Sequence, residues 1–205
     1  MGSASGYGEA TPRLTRRVTS RRSLLKGLTA MMAVGALSNG GYLIKPTFIK
    51  RSEEEAKRNS PQVVRPETSE ALRYIMRLNA EVGSAKKVDI PGYYVGGKTG
   101  TAEKVINGRY SKNKLFTTFM ALAPADKPRY LFATVMDEPQ AAPETHGYAT
   151  AAYNAGVVTG RILERAGPIL GLEPRFKAPE TPFPLLARMG YAKANMPAAK
   201  TADNH

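Results

Sequence analysis

Apolar residues recur at helical spacing in three stretches of the chain and gather into extended runs in three others. Leu24, Leu25, Leu28, Met31, Met32 and Leu37 share one helix face, because side chains three and four apart stack on the same side. Ser23 suits the N-cap of that helix, and Asn39-Gly40-Gly41 its end, since glycine readily takes the left-handed cap conformation. A second helix opens at Pro66-Glu67-Thr68, with proline in the first turn and an acid near the positive end. Leu72, Ile75, Met76, Asn79 and Val82 form its stripe, which reads as core, and Gly83 stops it. A third helix covers 149–166, with Ala152, Ala155, Val158, Ile162 and Leu163 for burial and Gly167-Pro168 as the break.

The extended runs lie between the second and third helices. Residues 93–105, 115–123 and 129–137 are rich in β-branched and aromatic side chains. Asn107-Gly108 is a turn signal, and Pro124 to Pro128 makes a tight connection. Three successive strands with short links predict an antiparallel meander with helices packed on it, the 149–166 helix across the three strands, in an α+β (mixed α/β) fold.

Composition adds boundaries. Residues 1–22 are polar and then basic, and read as a disordered N-terminal segment. Residues 173–205 carry Pro174, Pro179, Pro182, Pro184 and Pro197 among alanines and lysines, and read as a disordered Pro/Ala-rich tail. The organised domain is therefore expected over 23–172, with Ser52 to Gln62 as a charged surface loop or short turn. The chain of 205 residues carries a net charge of +13. The positive residues are scattered, with one cluster near the N-terminus, and no nucleic-acid-binding motif accompanies them, so nucleic acid is not expected as a partner. With no cysteine and only His146 and His205, thiol chemistry and multi-histidine metal sites are excluded within one chain; no cofactor is implied. No apolar run reaches the roughly 18 residues a membrane span needs.

The chemistry concentrates in Tyr94-Val95-Gly96-Gly97-Lys98-Thr99-Gly100-Thr101-Ala102-Glu103-Lys104-Val105. In a strand, alternate side chains share a face, so Lys98 and Gly100 point one way and Thr99 and Thr101 the other. Gly97 and Gly100 keep bulk away, as where a ligand or another backbone approaches. A cation, hydroxyl donors and bare N–H groups suit a ligand with a carboxylate and a polarised carbonyl. The plain alternative is a hairpin strand with a solvated lysine. The glycine spacing of a phosphate-binding P-loop is missing.

Gly97-Lys98-Thr99-Gly100-Thr101-Ala102-Glu103-Lys104 resembles the third motif of the penicillin-binding proteins, and residues 93–112 are similar to the class B (monofunctional), septal type. The likeness continues through Ser38 to Ile44, Pro46-Thr47, Lys50-Arg51, Met76 to Asn79 and Asp137-Glu138-Pro139, and spans roughly residues 27–172, the C-terminal part of a transpeptidase domain. The resemblance implies part of a serine β-lactamase/transpeptidase-like fold. It also implies a role in peptidoglycan crosslinking, by acyl transfer from D-Ala-D-Ala stem peptides, with β-lactams as ligands. In the family Lys98 would supply positive potential and proton traffic. Thr99 and Thr101 hydroxyls would hold the terminal carboxylate beside Gly100, and the Thr101 N–H would join the oxyanion hole. The resemblance further implies an inner-membrane anchor with a periplasmic domain, and cell-division membrane proteins as candidate partners.

Ser20 to Lys26 admits three readings: a twin-arginine export signal over 20–37, an S-x-x-K nucleophile pair of Ser23 and Lys26, or simply a helix start. The catalytic reading conflicts with the family order. There S-x-x-K lies far upstream of K-T-G with S-x-N between, whereas here the segment after Ser23 already resembles the region beyond S-x-N, and Ser38-Asn39-Gly40 does not form it. A fragment that binds substrate without turnover is therefore expected. A non-catalytic exported binding or scaffold protein and a hydrolase using Ser23 and Lys26 are the alternatives.

Overall fold

The computed structural model describes residues 21–177, 183–188 and 190. The elements in order are α1 (Arg21–Ser38), α2 (Glu53–Arg58), α3 (Pro66–Val82), β1 (Gly96–Ile106), β2 (Arg109–Ala123), β3 (Tyr130–Asp137), α4 (Ala155–Ile169) and α5 (Pro184–Arg188). The strands form one antiparallel sheet in the order β1-β2-β3. This is the meander that the short links between strand-like runs predict. The β1-β2 turn uses Asn107 at φ 51° and Gly108 at φ 78°, the double positive φ that favours Asn-Gly in hairpins. Away from the turn a bulge shifts the register between Glu103 and Lys104, so that Glu103 faces Leu115 while Lys104 faces Ser111.

Helix α4 packs across β2 and β3. Its buried side is small: Ala155, Gly156, Thr159, Gly160, Leu163 and Gly167. A Cβ on Gly156 would stand 3.3 Å from the Phe119 ring and one on Gly167 2.8 Å from that of Tyr93, so the missing side chains set how closely helix and sheet approach. The main cluster joins Val88, Tyr93, Val95, Phe119, Ala155 and Leu163. No helix among the described residues is long and apolar enough to cross a membrane.

Several expectations need correction. Helix α1 is already formed at Arg21, so Arg21 and Arg22 are helical and Ser23 lies inside the first turn instead of capping it. The expected disorder of residues 1–20 falls outside the described residues. Helix α4 starts at Ala155 after a run of turns and carries Pro168 within its last turn, instead of spanning 149–166. Ile162, counted among its core positions, is exposed. Helix α3 buries Ser69, Glu70, Arg77, Ala80 and Glu81, while Ile75 and Val82 of the apolar stripe are exposed. Its inward face meets backbone carbonyls and carboxylates near the start of β1, which only polar side chains can satisfy.

The tail also contributes to the core. Arg175 forks onto Asp126 at 2.7 and 2.9 Å, and its N–H donates to Gly92 O at 2.7 Å. Phe183 is fully buried against Tyr94 and Ala125, and the Leu185 N–H donates to Glu70 Oε1 at 2.5 Å. Those residues of the 173–205 segment are ordered parts of the domain. The segment's proline content, which reads as disorder, says nothing of a single large aromatic anchor.

Candidate functional site

The K-T-G strand is placed by the helix before it. Arg77, 2% exposed, donates through Nη1 to Val95 O at 2.8 Å, and Asn79 donates through Nδ2 to Gly97 O at 2.8 Å. The two carbonyls lie two residues apart on one side of the chain, and α3 reaches both from residues two apart. Tyr94, at φ 51°, turns the chain into β1. Its ring lies 4.6 Å from the Arg77 guanidinium and 5.7 Å from that of Arg175. Burial pushes the Tyr94 hydroxyl well above the ordinary tyrosine range. Arg77 is held in turn by Glu81 Oε1 at 2.8 Å and Asp89 Oδ1 at 2.6 Å. Burial raises the Glu81 carboxyl above its ordinary value, with Arg77 opposing that shift.

Directly opposite residues of an antiparallel pair share a face. Thr99 faces Phe119 and Thr101 faces Thr117, both fully buried on the side that α4 covers. Lys98 and Gly100 lie on the other face, opposite Met120 and Thr118. The alternation expected from the sequence is present. The two glycines act differently from the expectation, because the sheet's own side chains occupy the space they leave. A Cβ on Gly97 would stand 2.5 Å from Phe119 Cζ, and one on Gly100 2.5 Å from Thr118 Oγ1.

Successive residues of a strand direct their N–H and C=O to alternate edges. Gly97 O accepts from Asn79 and Thr99 O accepts from Lys98 Nζ at 2.6 Å, and neither donor belongs to β2. Gly97, Thr99 and Thr101 therefore direct their backbone groups away from β2. Among the described residues no strand pairs with that edge. Lys98, although rooted on the opposite face, curls its ammonium round to the same edge. Cation, hydroxyls and backbone groups that no neighbouring strand pairs converge there.

The hydroxyls are already engaged. Thr101 Oγ1 accepts from the Ala151 N–H at 3.1 Å, tying the strand to the loop before α4. Thr99 Oγ1 lies 3.0 Å from Ser84 Oγ. Ser84 and Asn79 join this site without a motif to mark them. Asn79 sits in the apolar stripe of the second helix and Ser84 directly follows its Gly83 stop; the available signal is a polar residue in an apolar register one turn before a helix stop.

Ser23 and Lys26 lie near the start of α1, and their side chains fall outside the described ones. The helix that bears them packs on α3 and touches β3, the strand on the opposite edge of the sheet from β1. Among the described residues no three His, Asp or Glu side chains gather as a metal site.

The family model of the penicillin-binding protein transpeptidase domain matches residues 27–163. Stage V sporulation protein D of Bacillus subtilis is 34% identical over 152 residues, covering 70% of this chain and 23% of that protein. The probable peptidoglycan D,D-transpeptidase FtsI of Caulobacter vibrioides is 35% identical over 155 residues, covering 71% and 26%. Among solved structures, the transpeptidase domain of Burkholderia pseudomallei penicillin-binding protein 3 has a TM-score of 0.57 at 26% identity, covering 70% of this chain and 42% of that one. Penicillin-binding protein 3 of Mycobacterium tuberculosis, in complex with ampicillin, has a TM-score of 0.55 at 25% identity, covering 74% and 36%. The chain spans about a quarter of the length of the curated relatives it matches. With its mixed α/β architecture and its K-T-G strand on the sheet edge, the chain belongs to the penicillin-binding protein transpeptidase family, among the class B members.

Proposed function

We propose that this chain is part of a peptidoglycan D,D-transpeptidase domain, and that the outer edge of β1 binds the carboxylate end of a D-Ala-D-Ala stem peptide and the β-lactams that resemble it. The observation that carries this reading is the convergence at one unpaired strand edge of the Lys98 ammonium, the Thr99 hydroxyl and the backbone groups of Thr99 and Thr101. A stem peptide adds to that edge as a further strand, using main-chain hydrogen bonds for affinity. Lys98 supplies positive potential beside the reacting carbonyl. The hydroxyls of Thr99 and Thr101 take the carboxylate. The Thr101 N–H donates to the carbonyl oxygen as negative charge develops on it; losing one such donor typically costs about 100- to 1,000-fold in rate.

These residues bind and polarise; none of them attacks. A nucleophile must come within about 3–3.5 Å of the carbonyl, with a base in hydrogen-bond reach. Ser23 and Lys26 belong to a helix that packs on α3 and meets the sheet at β3, the edge opposite β1, so this chain alone is expected to bind without turnover. The role we infer lies in wall synthesis and septation, on the periplasmic side of the inner membrane. Incubation with benzylpenicillin followed by intact-mass measurement tests the reading. The expected result is no covalent adduct, together with reversible shifts of the Gly97–Thr101 amides in NMR. A stoichiometric adduct that disappears in Ser23→Ala would make Ser23 the nucleophile, and shifts that avoid β1 altogether would remove the binding role from this strand.

A further inference from the structure

The chain Gly97, Asn79, Ser84, Thr99 closes a small hydrogen-bonded circuit beside the edge of β1. Its directions can be worked out from what each group is able to donate. Gly97 O only accepts, so Asn79 turns its Nδ2 toward it at 2.8 Å. The Ser84 backbone N–H only donates, so Asn79 turns its Oδ1 toward that group, at 3.0 Å. Both ends of the Asn79 amide are thereby fixed. The Ser84 hydroxyl has one proton and two acceptors in reach, Asn79 Oδ1 at 3.3 Å and Thr99 Oγ1 at 3.0 Å.

Two arrangements follow. When Ser84 donates to Asn79, Thr99 donates to Ser84 and shows only lone pairs to the edge, which suits a ligand N–H and repels a carboxylate. When Ser84 turns its proton to Thr99, the Thr99 proton is free to meet a carboxylate. The turn gives up only the longer bond, because Asn79 Oδ1 keeps the Ser84 N–H. No heavy atom has to move.

We propose that Ser84 is a positioning residue for anion recognition: by turning its hydroxyl proton from Asn79 to Thr99 Oγ1, it pins the Thr99 oxygen, aims the Thr99 proton at the carboxylate of the ligand and polarises it, so that without the Ser84 donor the Thr99 hydroxyl is left unoriented and a weaker donor. The inference deepens the reading of β1 as a carboxylate-binding edge and rests on it. It explains why the hydroxyl beside Thr99 sits on an exposed loop residue immediately after the α3 stop: only a freely rotating hydroxyl can serve both acceptors.

The test titrates the purified full chain with N-acetyl-D-Ala-D-Ala and, separately, with its C-terminal primary amide, following the amides of residues 97–101 by NMR. Ser84→Ala is expected to weaken the carboxylate ligand roughly threefold to tenfold, the worth of one hydrogen bond. It should change binding of the amide less than twofold, and Ser84→Thr should restore the carboxylate. Equal weakening of both ligands, no weakening of either, or no recovery in Ser84→Thr would overturn the inference. Thr99→Val separates the two levels. If it leaves carboxylate binding intact, or if the wild-type chain binds neither ligand at β1, the carboxylate reading itself falls and the role of Ser84 with it. If Thr99→Val weakens binding and Ser84→Ala does not, only the role of Ser84 falls.

Discussion

Two charge clusters sit at opposite ends of β1 and are built on opposite physical terms. At the start of the strand Arg77 lies buried, its side chain 2% exposed, between Glu81 at 6% and Asp89 at 7%. At the far end Lys104 bridges Asp137 at 2.8 Å and Glu138 at 2.7 Å, with Lys114 beside Glu138 at 3.3 Å, and all four side chains are between 27% and 49% exposed. The first cluster also holds a strand carbonyl; the second only links the rim of β1 to the end of β3 across β2. A buried pair is costly to assemble and costlier to break, because one partner's removal strands the other's charge. An exposed pair is screened by water and ions and contributes little. The lesson is positional: the rigid cluster stands next to Lys98, Thr99 and Thr101, and the loose one stands beyond the bulge.

The largest effect should come from Arg77→Met. It leaves two carboxylates and the Val95 carbonyl without their partner, and a loss of roughly 3–5 kcal/mol is expected, measured by urea unfolding. A loss below about 1 kcal/mol would mean that water reaches the cluster, and the contrast between the two ends would collapse.

Packing should divide the strand in the same way. Gly97→Ala forces a Cβ to 2.5 Å from Phe119 Cζ in the fully buried core, and about 1–3 kcal/mol is expected for such overpacking. Val105→Ala, at an exposed position near the hairpin tip, should change stability by less than about 0.5 kcal/mol. Equal losses for the two variants would show the strand to be uniformly constrained.

What the sequence revealed of these two ends differs for a physical reason. The hairpin end was legible because Asn107-Gly108 has one main use, a turn with both residues at positive φ. The α3 end was not. Hydrophobic periodicity directs attention to Leu72, Ile75, Met76 and Val82, whereas the helix buries Glu70, Arg77 and Glu81. Their partners, Asp89, Val95 O and the Leu185 N–H, come from elsewhere in the chain, and no local pattern announces a charge that will be neutralised after folding. The K-T-G residues and their alternation were readable from strand geometry. The free edge was not, since it depends on there being no strand outside β1 among the described residues.

Opposite signs of pH dependence provide a finer test. Burial raises the folded-state Glu81 carboxyl above its ordinary value, so the stability it contributes is complete below that ordinary value and is lost as pH rises through the raised one. Hydrogen bonds from Lys104, and then Lys114, hold Glu138 below its ordinary value. Its contribution is present above the ordinary value and is lost as pH falls through the lowered one. The stability difference between wild type and Glu81→Gln should therefore shrink as pH rises from about 4 to about 7, and that for Glu138→Gln should grow over the acidic part of the same range. Two slopes of the same sign would mean that the clusters do not differ in burial.

The smallest effect belongs to Lys104→Ala, and its smallness is the informative part. Removing this ammonium takes a donor from Asp137 and Glu138, yet both carboxylates remain in contact with water, and Glu138 keeps Lys114. Nothing is stranded. The lysine's own pKa is raised by those same hydrogen bonds, so the attraction exists, but it acts where solvent can replace it. At about 1 M salt the Debye length falls to roughly 3 Å, and any difference in melting temperature between Lys104→Ala and wild type should disappear. Arg77→Met should keep most of its deficit in the same buffer, because ions cannot enter a site whose three charged side chains are almost wholly enclosed. A Lys104→Ala deficit that survives high salt would place this pair among the structural supports of the sheet and move the boundary of the rigid region from the bulge to the hairpin tip.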